Sequence, residues 1–314
     1  MRILIYGAGV IGSIFAGKLF SSGNDVTVLA RNNRFEAIKR DGLKLKNRKD
    51  KKIESYHVNV INELQGDDIY DYILVAMQFQ QVNDILPVLK NNKSDNIVFF
   101  VNNPSGYDKW KQYLGKRLLV GFPACGGEAI NGITEYYIVK GLLGKYQITT
   151  FGEVDGAPTD RLHAIVQTFN ASGIPSVISN NMDCWQKTHV AIIVPVANAI
   201  YKNSGKIKGL ASNHSDLKLM IRAIREGLDS LKQLGYTVEP ASLNLFYMPI
   251  HLLSLIYAIA FRSEIADMSM ARHANKAKNE TLELQNAFES LIKETKTYKN
   301  DIYILDRCSK EQTM

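Results

Sequence analysis

Three glycines near the N-terminus are the first residues whose spacing indicates chemistry. Gly7, Gly9 and Gly12 form the sequence GAGVIG, directly between a strand-like run at 2–6 and a helix-like run at 10–22. At this spacing the first glycine permits a tight turn, the second lets the backbone approach a pyrophosphate, and the third lets the helix pack closely on the strand. The amino end of the helix favours phosphate charge. This context predicts a dinucleotide-binding loop rather than a structural glycine turn.

The residues after the second strand-like run, DVTVLA at 25–30, favour one dinucleotide over another. An NAD site usually places an aspartate or glutamate there to accept hydrogen bonds from the ribose hydroxyls. This chain instead continues with RNNR at 31–34. Arg31, with Arg34 as a helper, could form charge-assisted bonds to a 2′-phosphate, so the sequence predicts NADPH. The alternative is that both arginines are solvated loop charges.

A third feature is a single lysine at the head of an apolar helix. In CWQKTHVAIIVPVANAI, Lys187 lies two residues after Trp185, and no further charged side chain follows before Ile200. A lysine at this position is either a functional group held at the first turn of a buried helix or a lysine that snorkels to water.

These residues require elements that position them. Strand-like runs alternate with helical patterns through the first part of the chain, at 2–6, 10–22, 25–30, 72–77, 81–90, 97–101 and 117–121. This alternation predicts an α/β fold with a parallel, doubly wound sheet. The pattern at 132–152 predicts an antiparallel extension of that sheet, and 159–172 a further helix.

Nearly everything after residue 179 has helical periodicity, at 183–203, 214–235, 241–261 and 263–296. We therefore expect two domains, a nucleotide-binding domain over 1–178 and an all-helical substrate or dimerisation domain over 179–314.

The cysteine content and the N-terminus indicate the compartment. Cys125, Cys184 and Cys308 share no short spacing, which argues against a zinc site or disulfide framework and fits a reducing, cytoplasmic setting. The sequence MRILIYGAGVIG lacks the long apolar core of an export signal. We expect no metal site.

Two segments raise other classes of partner. The apolar segment 243–261 is about long enough to span a membrane, but its polar residues favour a buried helix pair or a homodimer contact; these are Asn244, Pro249, His251 and Ser254. The net charge is +7, and its densest run is KLKNRKDKK at 44–52. No aromatic residues interleave there, so we expect a solvated hairpin or loop, no nucleic acid partner, and a small anionic substrate.

Further motifs complete a family pattern. They are GAGVIG at the N-terminus, Arg31, VNNPSG at 101–106, WQK at 185–187 and RHANKAKNETLEL at 272–284. With these motifs, nearly the whole chain resembles the ketopantoate reductase (2-dehydropantoate 2-reductase) family. The resemblance implies a Rossmann-type domain followed by a helical domain, and NADPH-dependent reduction of a 2-oxo acid to a 2-hydroxy acid in the cleft between them.

The resemblance also implies roles for individual residues. Lys187 corresponds to the general acid, Glu280 to its carboxylate partner, and Asn103 to an asparagine that contacts cofactor and substrate. Ser269 is implied in substrate binding. The implied cofactor-binding set is Gly7, Ala8, Gly9, Val10, Ile11, Gly12, Arg31, Gln78, Asn103 and Gly126.

The chemistry of ketone reduction gives an independent reason for a lysine at such a site. Hydride delivery to a ketone builds negative charge on oxygen, which a lysine ammonium can stabilise and protonate. Two alternatives stay open for the carboxylate. Glu280 could be a solvated helix residue paired with Lys276, and Glu264 and Asp267 are rival partners.

The chain departs from the family pattern around the substrate. Two substrate-binding asparagines of the family, at successive turns after the lysine, fall at Ala191 and at Pro195 or Val194. Asn198 returns to the same helix face only about 16 Å further along the axis, and Pro195 is expected to kink the helix before it. These losses predict a different, more hydrophobic 2-oxo acid.

Smaller departures lie elsewhere. Gln78 stands where the family has a cofactor-contacting lysine, and Met268, next to Ser269, where it has a serine. Three histidines could replace lost contacts, although packed or exposed roles are commoner for such residues: His189, His251 and His273. The alternatives to a ketopantoate-type reductase are an opine-type or other hydroxyacid dehydrogenase on the same fold, and a non-catalytic NADPH-binding sensor.

Overall fold

A computed structural model of the chain describes residues 1–139, 148–299 and 301. The chain forms two compact units, one from Met1–Asn102 and Gly106–Met182 and the other from Asn103–Ser105 and Asp183–Met314. The first unit contains two sheets with flanking helices, and the described elements of the second unit are all helical. The predicted α/β class with a helical C-terminal part is confirmed.

An eight-stranded sheet forms the centre of the first unit. Its strands, in spatial order, are β12 (Ser176–Ile178), β11 (Thr149–Glu153), β8 (Leu118–Phe122), β7 (Ile97–Phe99), β6 (Tyr72–Val75), β1 (Arg2–Tyr6), β2 (Asp25–Leu29) and β5 (Asn59–Ile61). All neighbours are parallel except β11 and β8. The chain order reverses between β6 and β1, and such a switch point is where open α/β sheets bind ligands, at the carboxyl ends of the strands.

A second sheet corrects one prediction. It has four strands, in the order β4 (Ile53–Tyr56), β3 (Leu43–Asn47), β10 (Ile133–Ile138) and β9 (Cys125–Ile130). The antiparallel extension predicted for 132–152 is therefore right only for β11, because β10 pairs with β9 and β3 instead. Residues 140–147 of that segment lie outside the described residues. The basic run at 44–52 forms the β3–β4 hairpin, as expected.

The small sheet covers a second side of the first helix of this unit. The helices of this unit are α1 (Val10–Ser21), α2 (Asn32–Asp41), α3 (Val82–Asn91), α4 (Asp108–Leu114) and α5 (Asp160–Ala171). Helix α1 packs against β1 and β2 and also against β3, β9 and β10. A Cβ added at Gly17 would lie 2.4 Å from Leu45, so glycine lets the small sheet approach closely. The helix behind the glycine loop is thereby held between two sheets.

The second unit is built from helices of very different length. They are α6 (Met182–Lys202), α7 (Ile207–Ser212), α8 (His214–Gln233), α9 (Ile250–Ala260), α10 (Glu264–Ala266), α11 (His273–Lys276) and α12 (Lys278–Ile292), with a π-helical turn at Asp267–Arg272. Helix α6 continues through Pro195. The helix predicted over 263–296 is interrupted, since Ala277 leaves helical geometry with φ −112° and ψ 29°.

The helix predicted over 241–261 is also broken. Residues Ala241–Tyr247 form a 3-10 helix that meets α9 at an angle of 112°. Met248 is extended because it precedes Pro249, and the proline begins the new helix. No single helix among the described residues has the length and apolar character needed to cross a bilayer, and these two pieces reach that threshold only when joined across the bend.

Candidate active site

The three glycines of the N-terminal loop have three different surroundings. Gly7 has φ +118°, and a Cβ there would lie 2.6 Å from the carbonyl oxygen of Ala76, just after β6. A Cβ at Gly12 would lie 1.9 Å from the Gly7 carbonyl oxygen. Around Gly9, which precedes the first residue of α1, a Cβ would meet nothing within 4 Å. The outer glycines are thus required by the fold, whereas the middle one leaves open space beside a helix N-terminus.

Arg31 lies at the N-cap of α2, directly after β2 and Ala30, and its side chain is exposed. Its guanidinium hydrogen-bonds the hydroxyl of Tyr6, the last residue of β1. Burial raises the pKa of Tyr6, and the neighbouring guanidinium opposes that rise. The contact anchors Arg31 beside the glycine loop while leaving it accessible to an anion.

Arg34 is engaged differently. It donates from Nε to the Ala8 carbonyl at 3.3 Å, from one terminal nitrogen to Ser13 Oγ at 3.2 Å, and from the other to the Gly132 carbonyl at 3.5 Å. Burial lowers the pKa of Arg34 below its usual range. Its donors hold the glycine loop and the start of α1, a role that the spacing of RNNR did not indicate.

Gln78 lies just beyond β6 and stabilises its own turn. Its side-chain oxygen accepts from Gln80 Nε2 at 2.9 Å and from the backbone N–H of Gln81. The Gln81 side chain accepts in turn from the Gln78 backbone N–H at 3.2 Å.

Gly126, another residue of the predicted cofactor-binding set, lies in β9. A Cβ there would lie 2.6 Å from the Tyr137 hydroxyl, so the glycine makes room for that side chain.

Asn103 follows β7 and is 2% exposed. Its side-chain oxygen accepts from the Ser105 N–H at 2.9 Å, which closes the turn of VNNPSG. The segment Asn103–Ser105 is grouped with the helical unit although the chain on either side of it belongs to the first.

Lys187 is buried on α6, at 2% exposure. It donates to the carboxylate of Asp183, one helical turn earlier, and its Nζ lies 4.7 Å from the ring centroid of Tyr236. A snorkelling lysine would instead place its ammonium in water. The ion-pair partner is Asp183, where Glu280 was expected. Asp183 could have been found from its i,i+4 spacing to the lysine, which favours an acidic residue first.

Glu280 is also buried, at 8% exposure, in the first turn of α12. Burial, together with the Glu280 carboxylate, raises the pKa of the Tyr201 hydroxyl, against a hydrogen bond to Thr281 that lowers it. Of the rival carboxylates, Asp267 pairs with Arg272 at 3.0 Å, and Glu264 begins α10 at the surface.

Ser269 and its neighbour Met268 lie in the π-helical turn, which interrupts the helices before α12. Met268 is buried, whereas Ser269 is half-buried. Single π-helical turns in helices are frequently found at functional sites.

Close helix packing occupies the position where the first family asparagine is missing. Ala191 is fully buried, and a Cβ added at Gly227 of α8 would lie 3.2 Å from its Cβ and 3.2 Å from the Phe288 ring. Helices α6 and α8 therefore approach closely at this point. A larger amide side chain at 191 would therefore have to displace part of this packing.

Asn198 is used inside the helical unit. It is 2% exposed and donates to Gln285 Oε1 at 2.7 Å, and Gln285 donates in turn to Glu289 Oε1 at 3.2 Å. This buried chain of polar groups explains an amide on the otherwise apolar helix without a substrate.

Replacing Asn198 by leucine should lower the free energy of unfolding by ~1–3 kcal/mol, because the Gln285 carbonyl would stay buried without its donor. Urea denaturation measures the change. The double variant Asn198→Leu/Gln285→Leu removes both ends of this bond, so its loss should be smaller than the sum of the losses in the two single variants. An unchanged unfolding free energy combined with a raised KM in Asn198→Leu would contradict the structural role.

His189 stacks on Trp185, with ring centroids 5.3 Å apart and an interplanar angle of 20°. Burial, with a smaller contribution from His273, lowers the pKa of His189 to about 3. His189 is therefore uncharged at neutral pH and supplies no cation for a carboxylate substrate. His251 and His273 are exposed.

The cysteines and acidic residues form no metal centre in the described part of the chain. Within residues 1–139, 148–299 and 301, no group of three or more His, Cys, Asp or Glu side chains could hold a metal ion. Cys125 and Cys184 are buried free thiols, and Cys308 lies outside the described residues.

Comparison with known proteins identifies a family domain in the first half of the chain. Residues 3–152 match the family model described as ketopantoate reductase PanE/ApbA. The chain is 26% identical over 249 residues to 2-dehydropantoate 2-reductase of Pyrococcus horikoshii, covering 78% of each protein.

Two solved structures share the fold. A 2-dehydropantoate 2-reductase from Geobacter metallireducens has a TM-score of 0.75 at 15% identity and full coverage of both chains. A D-mandelate dehydrogenase with NADH and anilino(oxo)acetate has a TM-score of 0.74 at 14% identity, covering 99% of this chain and 98% of that one. Residues 3–152 therefore form a domain of the ketopantoate reductase PanE/ApbA family.

Proposed function

We propose that this protein reduces a 2-oxo acid to the 2-hydroxy acid with NADPH, and that Lys187 is the general acid. The family domain at residues 3–152 and the 2-dehydropantoate 2-reductase relatives make it an oxidoreductase that acts on a CH–OH/ketone pair. The observation that supports Lys187 as the general acid is its ammonium group, which is buried and ion-paired near the start of α6. The W-x-K motif of the family resemblance assigns the proton donor to this position.

The cofactor loop fits a dinucleotide. Gly9 leaves open space next to the first N–H groups of α1, which suits a pyrophosphate. At the end of β2 the chain presents Arg31, and no carboxylate follows it before Glu36. We therefore favour NADPH over NADH, although the D-mandelate dehydrogenase of the same fold was solved with NADH.

The reaction requires a hydride donor and a proton donor on the two atoms of the ketone. When bound, the nicotinamide supplies the hydride to carbon. Lys187 supplies the proton to oxygen, and its positive charge stabilises the oxygen as negative charge develops there. Asn103 is proposed to bridge cofactor and substrate, and Gln78 and Gly126 to border the cofactor.

The carboxylates then take separate roles. Asp183 already binds the lysine, so Glu280, from the first turn of α12, is proposed to position the substrate rather than the lysine. Ser269 is proposed to contact the substrate from the π-helical turn.

The substrate is proposed to be more apolar than ketopantoate. Ala191 packs against α8 and Asn198 is bound to Gln285, so neither supplies the amide that the family places near the lysine. Without these amides, the residues near Lys187 suit a substrate with an anionic carboxylate and an apolar side chain, such as a branched or aromatic 2-oxo acid.

A panel of NADPH oxidation assays tests this function. The substrates are ketopantoate, branched 2-oxo acids, phenylglyoxylate, and each 2-oxo acid with added amines; the reverse reaction is tested with 2-hydroxy acids and NADP⁺ or NAD⁺. We expect turnover without amine, with the highest kcat/KM for an apolar 2-oxo acid. Turnover that requires an amine would assign an opine-type dehydrogenase. Cofactor binding without turnover on any substrate would favour a sensor and overturn the proposal.

A further inference from the structure

The arrangement around Lys187 contains a residue to which the family resemblance assigns no role. Asp183 lies in the first turn of α6, four residues before the lysine, so both side chains project from one face of the helix. The lysine side chain is 2% exposed, whereas the Asp183 side chain is 32% exposed. The ammonium is therefore covered, and its carboxylate partner borders water.

A second group fixes the direction of the ammonium. Tyr236, in the loop after α8, places its ring 4.7 Å from Nζ, within the range of a cation–π contact. The same loop is bonded to α6 next to the lysine, because the Glu239 N–H donates to the Thr188 hydroxyl at 3.2 Å. A lysine ammonium has three N–H donors. With one directed to Asp183 and one toward the ring, the contacts within the described part of the chain leave a third for a substrate oxygen.

We propose that Asp183 is the positioning residue of the general acid, holding the Lys187 ammonium through their ion pair and aiming its remaining N–H at the ketone oxygen. The proposal rests on the proposed function. In the step itself, the Nζ–H bond breaks, the O–H bond forms as the hydride reaches carbon, and a neutral amine remains. Asp183 keeps its negative charge throughout, and the amine regains its proton from water after the product leaves.

Burial of the ammonium determines how the pH dependence of activity should change when the charge of Asp183 is removed. A buried ammonium without a counter-ion is disfavoured against the neutral amine, which cannot donate the proton. Asp183 opposes that loss. Among the described residues, the titratable groups that contact Lys187 are Asp183 on its own helix and Tyr236 on the loop after α8, and Cys184 lies near that tyrosine. Among these, Asp183 is the one in a direct ion pair with the ammonium.

The test compares Asp183→Asn, which removes the charge at constant shape, with Asp183→Glu, which keeps the charge. At pH 8, Asp183→Asn should lower kcat/KM by ~10–100-fold, mainly through kcat, and shift the basic limb of the pH–rate profile to lower pH by ~1 unit or more. The loss should shrink near pH 6. NADPH affinity should not change, and Asp183→Glu should recover most of the activity.

Two controls separate positioning from a general structural effect. Asp229→Asn removes another carboxylate of the helical unit, which accepts from the Tyr247 hydroxyl at 2.6 Å, and should leave the pH profile unchanged. In a Lys187→Ala background, Asp183→Asn should cause no further loss of activity. An additional loss there, or an unshifted basic limb in Asp183→Asn, would overturn the proposal.

A measurement without turnover distinguishes this proposal from the proposed function. Competitive acetylation of the holoenzyme with isotopic acetic anhydride, read by mass spectrometry, gives the pH at which Lys187 becomes reactive. That midpoint should fall by ~1 unit or more in Asp183→Asn but not in Asp229→Asn. A shifted midpoint without catalysis would contradict the reductase while retaining the ion pair. Turnover with an unshifted midpoint would contradict the role of Asp183.

Discussion

Replacing Lys187 by alanine is expected to lower kcat/KM for the best 2-oxo acid by ~10²–10⁴-fold, the range usual for loss of a general acid. The substitution removes both the proton and the positive charge that stabilise the developing alkoxide. It leaves Asp183, which is partly exposed and therefore tolerates the loss of its partner. NADPH affinity should stay within about twofold, because the glycine loop and the arginines are unaltered.

Lys187→Arg separates the two contributions of the lysine. Arginine keeps the charge but does not give up its proton at accessible pH. An activity between those of wild type and Lys187→Ala would show that charge stabilisation and proton transfer both contribute.

Lys202→Ala is the matched control, since this lysine lies at the other end of α6 and is ion-paired with Asp216 at 2.8 Å. Its kcat/KM should be near that of wild type in the folded protein. Near-full turnover in Lys187→Ala would remove the lysine from the mechanism and, with it, the reason for a positioned ammonium.

Local patterns predicted the elements that position the site. The strand β1, the glycine turn and the start of α1 follow from a short apolar run, three spaced glycines and helical periodicity. The break before α9 could have been predicted too, because Pro249 lies within the apolar segment. These features depend on residues close together in the chain.

Other features depend on contacts between distant residues. Strand β10 pairs with β3, about 90 residues earlier in the chain, and α1 packs against both strands. The absence of space beside Ala191 depends on Gly227, on another helix. No spacing rule connects such pairs, so the sequence indicated a missing amide but not the packing that fills its place.

From the sequence, Arg31 and Arg34 were expected to bind the same 2′-phosphate. In the structure the two arginines differ in exposure and in hydrogen-bond partners. Arg31 is exposed at the end of β2, whereas Arg34 is bonded to the Ala8 carbonyl and to Ser13. An accessible arginine can bind the 2′-phosphate, which only NADPH carries. An arginine that braces the glycine loop acts on the pyrophosphate, which NADPH and NADH share.

Arg31→Ala should therefore weaken NADPH binding by ~10–100-fold, the equivalent of losing charge-assisted hydrogen bonds worth ~1.5–3 kcal/mol, and leave NADH binding almost unchanged. Arg34→Ala should weaken both cofactors by a similar factor. Dissociation constants are measured by fluorescence titration at constant ionic strength, because exposed charge contacts are screened by salt.

Two further variants make the comparison decisive. Arg40→Ala removes an exposed arginine near the end of α2, paired with the adjacent Asp41, and should change neither affinity. Tyr6→Phe removes the hydroxyl that anchors Arg31 and should weaken NADPH binding less than Arg31→Ala does. If Arg31→Ala weakened NADH as much as NADPH, Arg31 would be a loop residue. If Arg34→Ala affected NADPH alone, the phosphate contact would belong to Arg34, and the bonds to Ala8 and Ser13 would have to break on binding.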